Sequence, residues 1–467
     1  MEPSDCPTVR TIVVGGGAAG TITAAHLLRQ ADAAHPVDVT IVDPSATIGP
    51  GLPYRTTEPR HTLNNVVARM SAFDDEPGHL LRWCAARGIP AEPRTFLQRS
   101  VYGDYLAGLL AGVPRPPGST VRHVRARATD LVDDGSVLAV RLSDGRTLCA
   151  DHVVLALGTP APRRLAPYEG MGRTVTDPWD SDLAERAAGT RSVLLVGTGL
   201  TAADAATVVH RANPDARITA VSRHGLLPAV HAHDPLVPPS DVDLSDIHSL
   251  DDAVAAIADH LALARAAGAD WRPVLDAVRH QANDVWSRLP MPDRARFVHE
   301  HARSWESARH RMPREMRSYL SGLVASGALT FTRADDIDPG ADFDLVVRCT
   351  GPGATAARGW NPLVDALLDR PSIRPHPLGL GLDLDPGGSV RGLGPAAQGR
   401  VHAVGAARRG LAWEVAAIPD IRTQAARLAD SILARAAVNP ERGRLRDHAR
   451  PPSQLPPRRQ TVRAVPG

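Results

Sequence analysis

Two glycine-rich turns, 182 residues apart, constrain this 467-residue chain more than any other feature. The first is Gly15-Gly-Gly17-Ala-Ala-Gly20. It follows the β-branched run Arg10-Thr-Ile-Val-Val14 and opens a helix-compatible segment from Ala18 to about Ala31. A second β-branched run, Val37 to Val42, comes next. Strand, tight glycine turn, helix and strand make a βαβ unit. The second turn, Gly197-Thr-Gly199-Leu-Thr-Ala202, has the same setting. A strand from Arg191 to Val196 precedes it, a helix from Ala202 to Arg211 follows, and a strand from Arg217 to Val221 comes after that. The pattern predicts an α/β chain with two Rossmann-like dinucleotide-binding domains.

Each position in the first turn answers a requirement of a bound pyrophosphate. Gly15 permits the tight turn, Gly17 lets the backbone approach the phosphates, and Gly20 lets helix and strand pack closely. Asp43 ends the second strand, 28 residues beyond Gly15, where a carboxylate can accept hydrogen bonds from ribose hydroxyls. This end of the chain therefore suits FAD. The second turn uses Gly197 and Gly199, with Ala202 as an allowed third member. Its strand ends differently, in Ser222-Arg223-His224. A carboxylate there would repel a 2′-phosphate, whereas a guanidinium and a hydroxyl would bind one, so the second site favours NADPH over NADH. The competing explanation of Arg223 is a solvated surface residue. Two unlike sites imply two cofactors and a hydride passing between them.

Composition narrows the chemistry further. All 53 basic residues are Arg, against 51 acidic residues and a net charge of +2. Without Lys there is no Schiff-base enzyme and no Walker-A loop. The even balance gives no polybasic stripe, so nucleic acid is not an expected partner. The four cysteines, Cys6, Cys84, Cys149 and Cys349, form no C-x-x-C, which argues against a zinc ribbon or a local redox dithiol. A reduced, cytoplasmic protein is expected. The first ten residues contain Glu2 and Asp5 and lack a signal pattern, and no apolar run is long enough to span a membrane. No G-x-S-x-G motif supports a hydrolase.

The expected organisation is discontinuous. Residues 1–160 form the first part of the FAD domain and 345–436 its second part. Residues 161–344 form the NAD(P)H domain, with a helical insertion at about 240–325. The Pro- and Arg-rich residues 437–467 read as a disordered tail. On this reading the apolar strand from Asp344 to Gly351 returns the chain to the first domain.

Beyond the two turns, several segments resemble the two-dinucleotide-domain flavoproteins, and within them a bacterial family described as FAD/NAD(P)-binding. These are Gly51-Leu-Pro-Tyr54, His61 to Phe73, Asp177-Pro-Trp179, Ser222 to Pro228, Arg309-His-Arg-Met-Pro313 and Arg408-Arg-Gly-Leu-Ala-Trp-Glu414. The resemblance spans about residues 10–436. It implies an FAD-dependent, NADPH-using monooxygenase that hydroxylates a small organic metabolite with O2 through a flavin C4a-hydroperoxide. One branch of similar proteins hydroxylates urate. The alternatives are an NAD(P)H-dependent flavin dehydrogenase or reductase, and a non-catalytic FAD-binding redox sensor. Many relatives end their last strand in Gly-Asp; here Gly405 is followed by Ala406, so another group must hold the ribityl chain.

The resemblance places the loop from Asn64 to Phe73 near the flavin. Asn65, Arg69 and Ser71 become candidates to hydrogen-bond flavin, NADP or the peroxide, against the alternative of a polar loop capping the next helix. Ala19, Gly158, Gly351 and Gly405, with Arg409 and Trp413, are further candidates for cofactor contact. His231-Ala-His233 has no third ligand nearby, so no metal site is expected. Trp271, Trp286 and Trp305 read as core packing rather than a substrate box. Arg309-His-Arg311 reads either as an anion clamp or as a charged face.

Overall fold

The β-branched runs become the central strands of two parallel sheets, where both faces are covered and continuous apolar sequence is required. The computed structural model describes residues 8–133, 137–370, 373–394 and 397–438. In chain order the strands are β1 (Val9–Val14), β2 (Val37–Val42), β3 (Thr120–Val124), β4 (Ala128–Asp133), β5 (Leu138–Leu142), β6 (Thr147–Ala150) and β7 (His152–Leu155). They continue as β8 (Arg173–Val175), β9 (Ser192–Val196), β10 (Arg217–Ser222), β11 (Leu329–Arg333), β12 (Leu345–Arg348) and β13 (Val401–Ala403). The first sheet has the order β3-β2-β1-β7-β13 and the second the order β11-β10-β9-β12-β8. All pairings within these two sheets are parallel. An antiparallel meander, β4-β5-β6, lies in sequence between β3 and β7.

One expected boundary needs correction. β12 does not return the chain to the first domain; it pairs with β9 and β8 inside the second sheet. The crossing back comes after Thr350. There the two connecting segments run side by side, with Pro162 bridged antiparallel to Pro352. The Gly353 amide donates to the Ala161 carbonyl at 3.2 Å, and the Thr350 hydroxyl donates to the Arg163 carbonyl at 3.1 Å. An apolar strand before a glycine fits either sheet, so its sequence alone does not choose. The expected tail, 437–467, falls outside the described residues apart from Ala437 and Val438, which end helix Ile418–Val438.

The first core joins helix Ala18–Gln30 to helix Ile418–Val438. Ile22, Leu27, Ala425 and Ile432 are wholly buried together. The C-terminal helix thus brings residues more than 380 positions apart onto one sheet. The insertion is helical as its composition implies: Leu250–Ala266, Arg272–Arg288 and a run from Met291 to Arg309. That run contains a π-helical turn at Phe297–His301.

The two domains are tied by polar contacts. Arg99 and Asp204, both largely buried, pair at 2.9 Å. His61 Nε2 lies 3.0 Å from the Asp204 carbonyl, and Trp179 packs edge-on to His61. Arg211 pairs with Glu58 at 2.7 Å, and Arg94 with Asp234 at 2.8 Å. Among the described residues no helix is long and apolar enough to cross a membrane.

Candidate functional site

The first glycine turn is built so that only glycine fits at its ends. Gly15 has φ +106°, and a Cβ there would lie 2.2 Å from the Ala156 carbonyl oxygen after β7. A Cβ on Gly20 would lie 1.9 Å from the Gly15 oxygen. Gly17 differs: its nearest neighbour would be Gly51 Cα at 3.5 Å, so two glycines face each other across an open space. Gly17 also starts helix Ala18–Gln30 with no side-chain cap. The free N–H groups of that helix end and its dipole suit a pyrophosphate. Asp43 accepts the Gly16 amide at 2.7 Å and the Ser45 amide at 2.8 Å, which fixes its carboxylate beside the turn. Each carboxylate oxygen keeps a lone pair for a ribose hydroxyl. These residues fit FAD.

The last strand approaches the same turn. Gly405, φ +70°, would place a Cβ 3.6 Å from that of Ala19. Its amide donates to Gln424 Oε1 at 2.8 Å, and the Gln424 amide donates on to the Val415 carbonyl at 3.0 Å. Gln424 therefore holds the loop that follows β13, a role the sequence did not reveal.

The second turn repeats the first at Gly197, φ +129°, whose Cβ would lie 2.2 Å from the Cys349 carbonyl oxygen after β12. Gly199 begins helix Leu200–Ala212, again without a side-chain cap, and nothing lies within 4 Å of its Cβ position. The Thr198 hydroxyl lies 2.9 Å from Ser222 Oγ. Arg223 is exposed just past the strand end. Two further arginines join it from distant sequence. Arg333 is the register partner of Ser222 on β11 and lies 3.6 Å from the Cβ position of Gly225. Arg303, from the insertion, donates to the Leu226 carbonyl at 3.2 Å; burial and the nearby Arg223 charge lower its pKa. Gly158 and Gly351 both have positive φ with open space at the Cβ position, where the chain leaves β7 and β12.

The loop after Asn64 sits where the domains meet. His231 Nε2 lies 3.0 Å from the Asn64 carbonyl, and burial pushes the His231 pKa down to about 4. Asn65 Oδ1 accepts the Val66 amide at 3.0 Å. Arg69 ends a short 3-10 turn, and its charge is felt by His231 and by His280 of the insertion. Arg69 thus lies on the side of the second domain, whereas Asn65 bonds within its own loop. Ser71 does not join Arg69: it is fully buried, donates to the Glu76 carbonyl at 2.7 Å and accepts the Phe73 amide at 3.1 Å. Those bonds brace the loop. No group of three or more metal-ligating side chains occurs among the described residues.

Arg409 and Trp413 belong to the segment after Gly405, which the insertion grips. Arg409 pairs with Glu306 and lies 4.2 Å over the Trp413 ring. Burial would raise the Glu306 carboxyl, but His310 and Arg409 outweigh it and hold the pKa at about 2. Glu414 accepts from Trp305 Nε1 at 2.9 Å and pairs with Arg309 at 3.2 Å. Arg311 pairs with Asp276 at 2.9 Å. Arg309 and Arg311 are therefore committed to internal carboxylates, which fits neither the anion clamp nor the solvated charged face that their sequence allows. Trp413 packs against Trp286 and Phe297. Trp271 stands apart, stacked under Arg272 and Arg311.

Residues 12–160, the first βαβ unit through β7, match the family described as FAD-NAD(P)-binding. No curated protein matches the chain by sequence. The fold is that of flavin monooxygenases. L-lysine 6-monooxygenase from Pseudomonas syringae is 17% identical, with a TM-score of 0.58 over 91% of this chain and 99% of its own. The FAD-bound cadaverine monooxygenase of desferrioxamine biosynthesis from Erwinia amylovora is 15% identical, with a TM-score of 0.57 over 92% and 95%. A double mutant of the flavin monooxygenase from Stenotrophomonas maltophilia is 18% identical, with a TM-score of 0.53 over 92% and 99%.

Proposed function

We propose that this protein is an NADPH-dependent FAD monooxygenase that hydroxylates a small organic molecule. The observation that carries the reading is the pairing of two unlike dinucleotide sites in one tied frame. One ends in a fixed carboxylate, Asp43; the other has Arg223 at its strand end, with Arg303 and Arg333 close to the segment that follows. The fold shared with lysine and cadaverine monooxygenases supports it.

The balanced reaction is substrate, O2, NADPH and a proton giving hydroxylated substrate, NADP+ and water. Bound FAD would supply the hydride acceptor and the activation of O2. The chain's residues do the rest. Asp43 holds ribose hydroxyls and the end of helix Ala18–Gln30 holds pyrophosphate. Arg223, with Arg303 and Arg333, binds the 2′-phosphate. Asn65 and Arg69 hydrogen-bond the reacting groups and help exclude water at the domain junction.

The test uses purified protein. It should carry FAD, oxidise NADPH faster than NADH, and incorporate label from 18O2 into a substrate when metabolites are screened with hydrogen peroxide measured alongside. Replacing Asn65 or Arg69 by Ala should leave flavin reduction nearly intact and divert oxygen to peroxide. NADPH oxidation with no label in any product would instead identify a dehydrogenase.

A further inference from the structure

The coenzyme half is fastened to the FAD half through the very helix that its glycine turn opens. Helix Leu200–Ala212 starts at Gly199, and Asp204 lies in its second turn. The Asp204 carboxylate pairs with Arg99, at the start of helix Arg99–Ala107, at 2.9 Å, and the two side chains are only 7% and 11% exposed. The Asp204 carbonyl accepts from His61 Nε2 at 3.0 Å. Two turns further along, on the same face, Arg211 pairs with the largely buried Glu58 at 2.7 Å. The contact therefore runs along the helix.

The first-domain side of this contact is itself fixed. The Arg99 amide donates to the His61 carbonyl at 2.8 Å, and Arg99 Nε donates to the Thr62 carbonyl at 2.9 Å. With Nε2 protonated toward Asp204, His61 Nδ1 accepts from the Thr56 hydroxyl at 2.8 Å. Trp179, from the second domain, covers both partners: Arg99 lies 5.0 Å over its ring, and His61 meets it edge-on. A carboxylate and a guanidinium shut off from water attract strongly, and either one left alone there is costly. The exposed interdomain pair Arg94–Asp234 lacks that leverage. Asp204 also lies close to the second glycine turn. Burial, and then the Asp204 charge, raise the pKa of the Cys349 thiol, and Cys349 carries the carbonyl that presses on Gly197.

We infer that Asp204, Arg99 and His61 are positioning residues for hydride transfer. They hold the coenzyme helix at one place against the FAD half, so that the nicotinamide reaches the flavin with no rotation of one domain on the other. In that step NADPH gives up a hydride and becomes NADP+, and FAD takes the hydride and one proton from solvent and is reduced. A rotation would part Asp204 from Arg99 and strand both charges. The inference rests on the FAD and NADPH assignments and not on the use of oxygen.

The test mixes FAD-loaded protein with NADPH in the absence of oxygen. The limiting rate of flavin bleaching, per bound flavin, is separated from the NADPH dissociation constant. Asp204→Asn and Arg99→Gln should each lower the limiting rate about tenfold or more and change NADPH affinity less than about twofold, because the reactants are misplaced and not lost. The double variant leaves no lone buried charge, and its two amides can still bond each other, so it should recover part of the rate. X-ray scattering of the native chain should be the same with and without NADP+. A merely structural role would lower yield and melting temperature with the rate per flavin unmoved. That result, a change confined to NADPH affinity, or scattering that shifts when NADP+ binds would overturn the inference. If neither NADPH nor NADH bleaches the native flavin, the coenzyme assignment falls and the inference falls with it; native bleaching with unmoved variants sinks the inference alone.

Discussion

The two halves of the molecule are the same construction around their glycine turns, with two exchanges. In each, a first strand (β1, β9) is flanked by the strand of its βαβ unit (β2, β10) and by a later strand (β7, β12). The carbonyl just past that later strand presses on the first glycine: Ala156 on Gly15, Cys349 on Gly197, both at 2.2 Å from the Cβ position. The third fingerprint position separates the halves. Gly20 touches the backbone of its own turn at 1.9 Å, whereas Ala202 carries a buried methyl in the equivalent place. The first turn is therefore tighter than the second. The strand ends differ too: Asp43 is held by two backbone amides, while Arg223 stands free near two other arginines. The backbone turn is common property, and the residues around it choose the ligand.

The third position offers the sharpest way to break that comparison. Gly20→Ala drives a methyl into the Gly15 carbonyl and should cost about 3 kcal/mol or more. Ala202→Gly loses only helix propensity and a small packed methyl, roughly 1–2 kcal/mol. Purification yield and flavin absorbance should collapse in the first variant and persist in the second. Equal damage would mean that the two turns are equally tight.

The contact between the halves gives the next largest effect. His231, from the second domain, meets the Asn64 carbonyl of the first, and burial lowers its pKa to about 4 from an ordinary 6.5. Between those values the unfolded chain binds more protons than the folded one, so stability falls as pH falls from about 6.5 to 4. At pH 4.5 the loss should be about 2–3 kcal/mol. His231→Gln keeps an amide donor without the titration. Urea midpoints at pH 7 and 4.5 should converge for the variant more than for the native chain; an unchanged gap would remove His231 from the account.

The free strand end comes third. Arg223→Ala should raise the NADPH Michaelis constant by about ten- to a hundredfold, the equivalent of losing roughly 1.5–3 kcal/mol, and leave that of NADH nearly still. Arg303→Ala should show the same bias more weakly, because its guanidinium already donates to Leu226. Equal effects on both coenzymes would return Arg223 to an ordinary surface role.

What the sequence made legible was local. Both turns, the helices after them and the contrast of Asp43 with Arg223 are fixed by residues within about thirty positions of each other. The insertion was readable because its long Ala-rich run lacks strand punctuation. The meander β4-β5-β6 escaped notice because its strands are short and only half alternate. The sheet to which β12 belongs was hidden, since Leu345–Arg348 is buried and apolar in a way that suits either core. Arg303 and Arg333 reach the end of β10 from 80 and 110 residues beyond Arg223, a distance only the fold closes. Ser71 shows the opposite error. A serine in a promising loop is still a serine, and here its hydroxyl serves the loop itself.

The smallest expected effect on stability distinguishes glycines the fold needs from glycines a ligand needs. Gly17 and Gly199 both have extended backbones that any residue adopts, φ −72° and −81°. A Cβ on Gly17 meets only Gly51 Cα at 3.5 Å, and one on Gly199 meets nothing within 4 Å. Neither glycine is demanded by the protein's own packing, so Gly17→Ala and Gly199→Ala should change stability by less than about 0.5 kcal/mol. The space beside each leaves room for a group lying against the backbone. Larger side chains should therefore cost binding and not folding. Gly17→Val should give soluble protein that has lost its flavin, read directly as absorbance near the visible flavin band. Gly199→Val should keep the flavin and lose its reduction by NADPH at ordinary coenzyme concentrations. Full flavin in Gly17→Val would show that the pyrophosphate does not lie over the first turn, and with it the assignment of FAD to that half would fail.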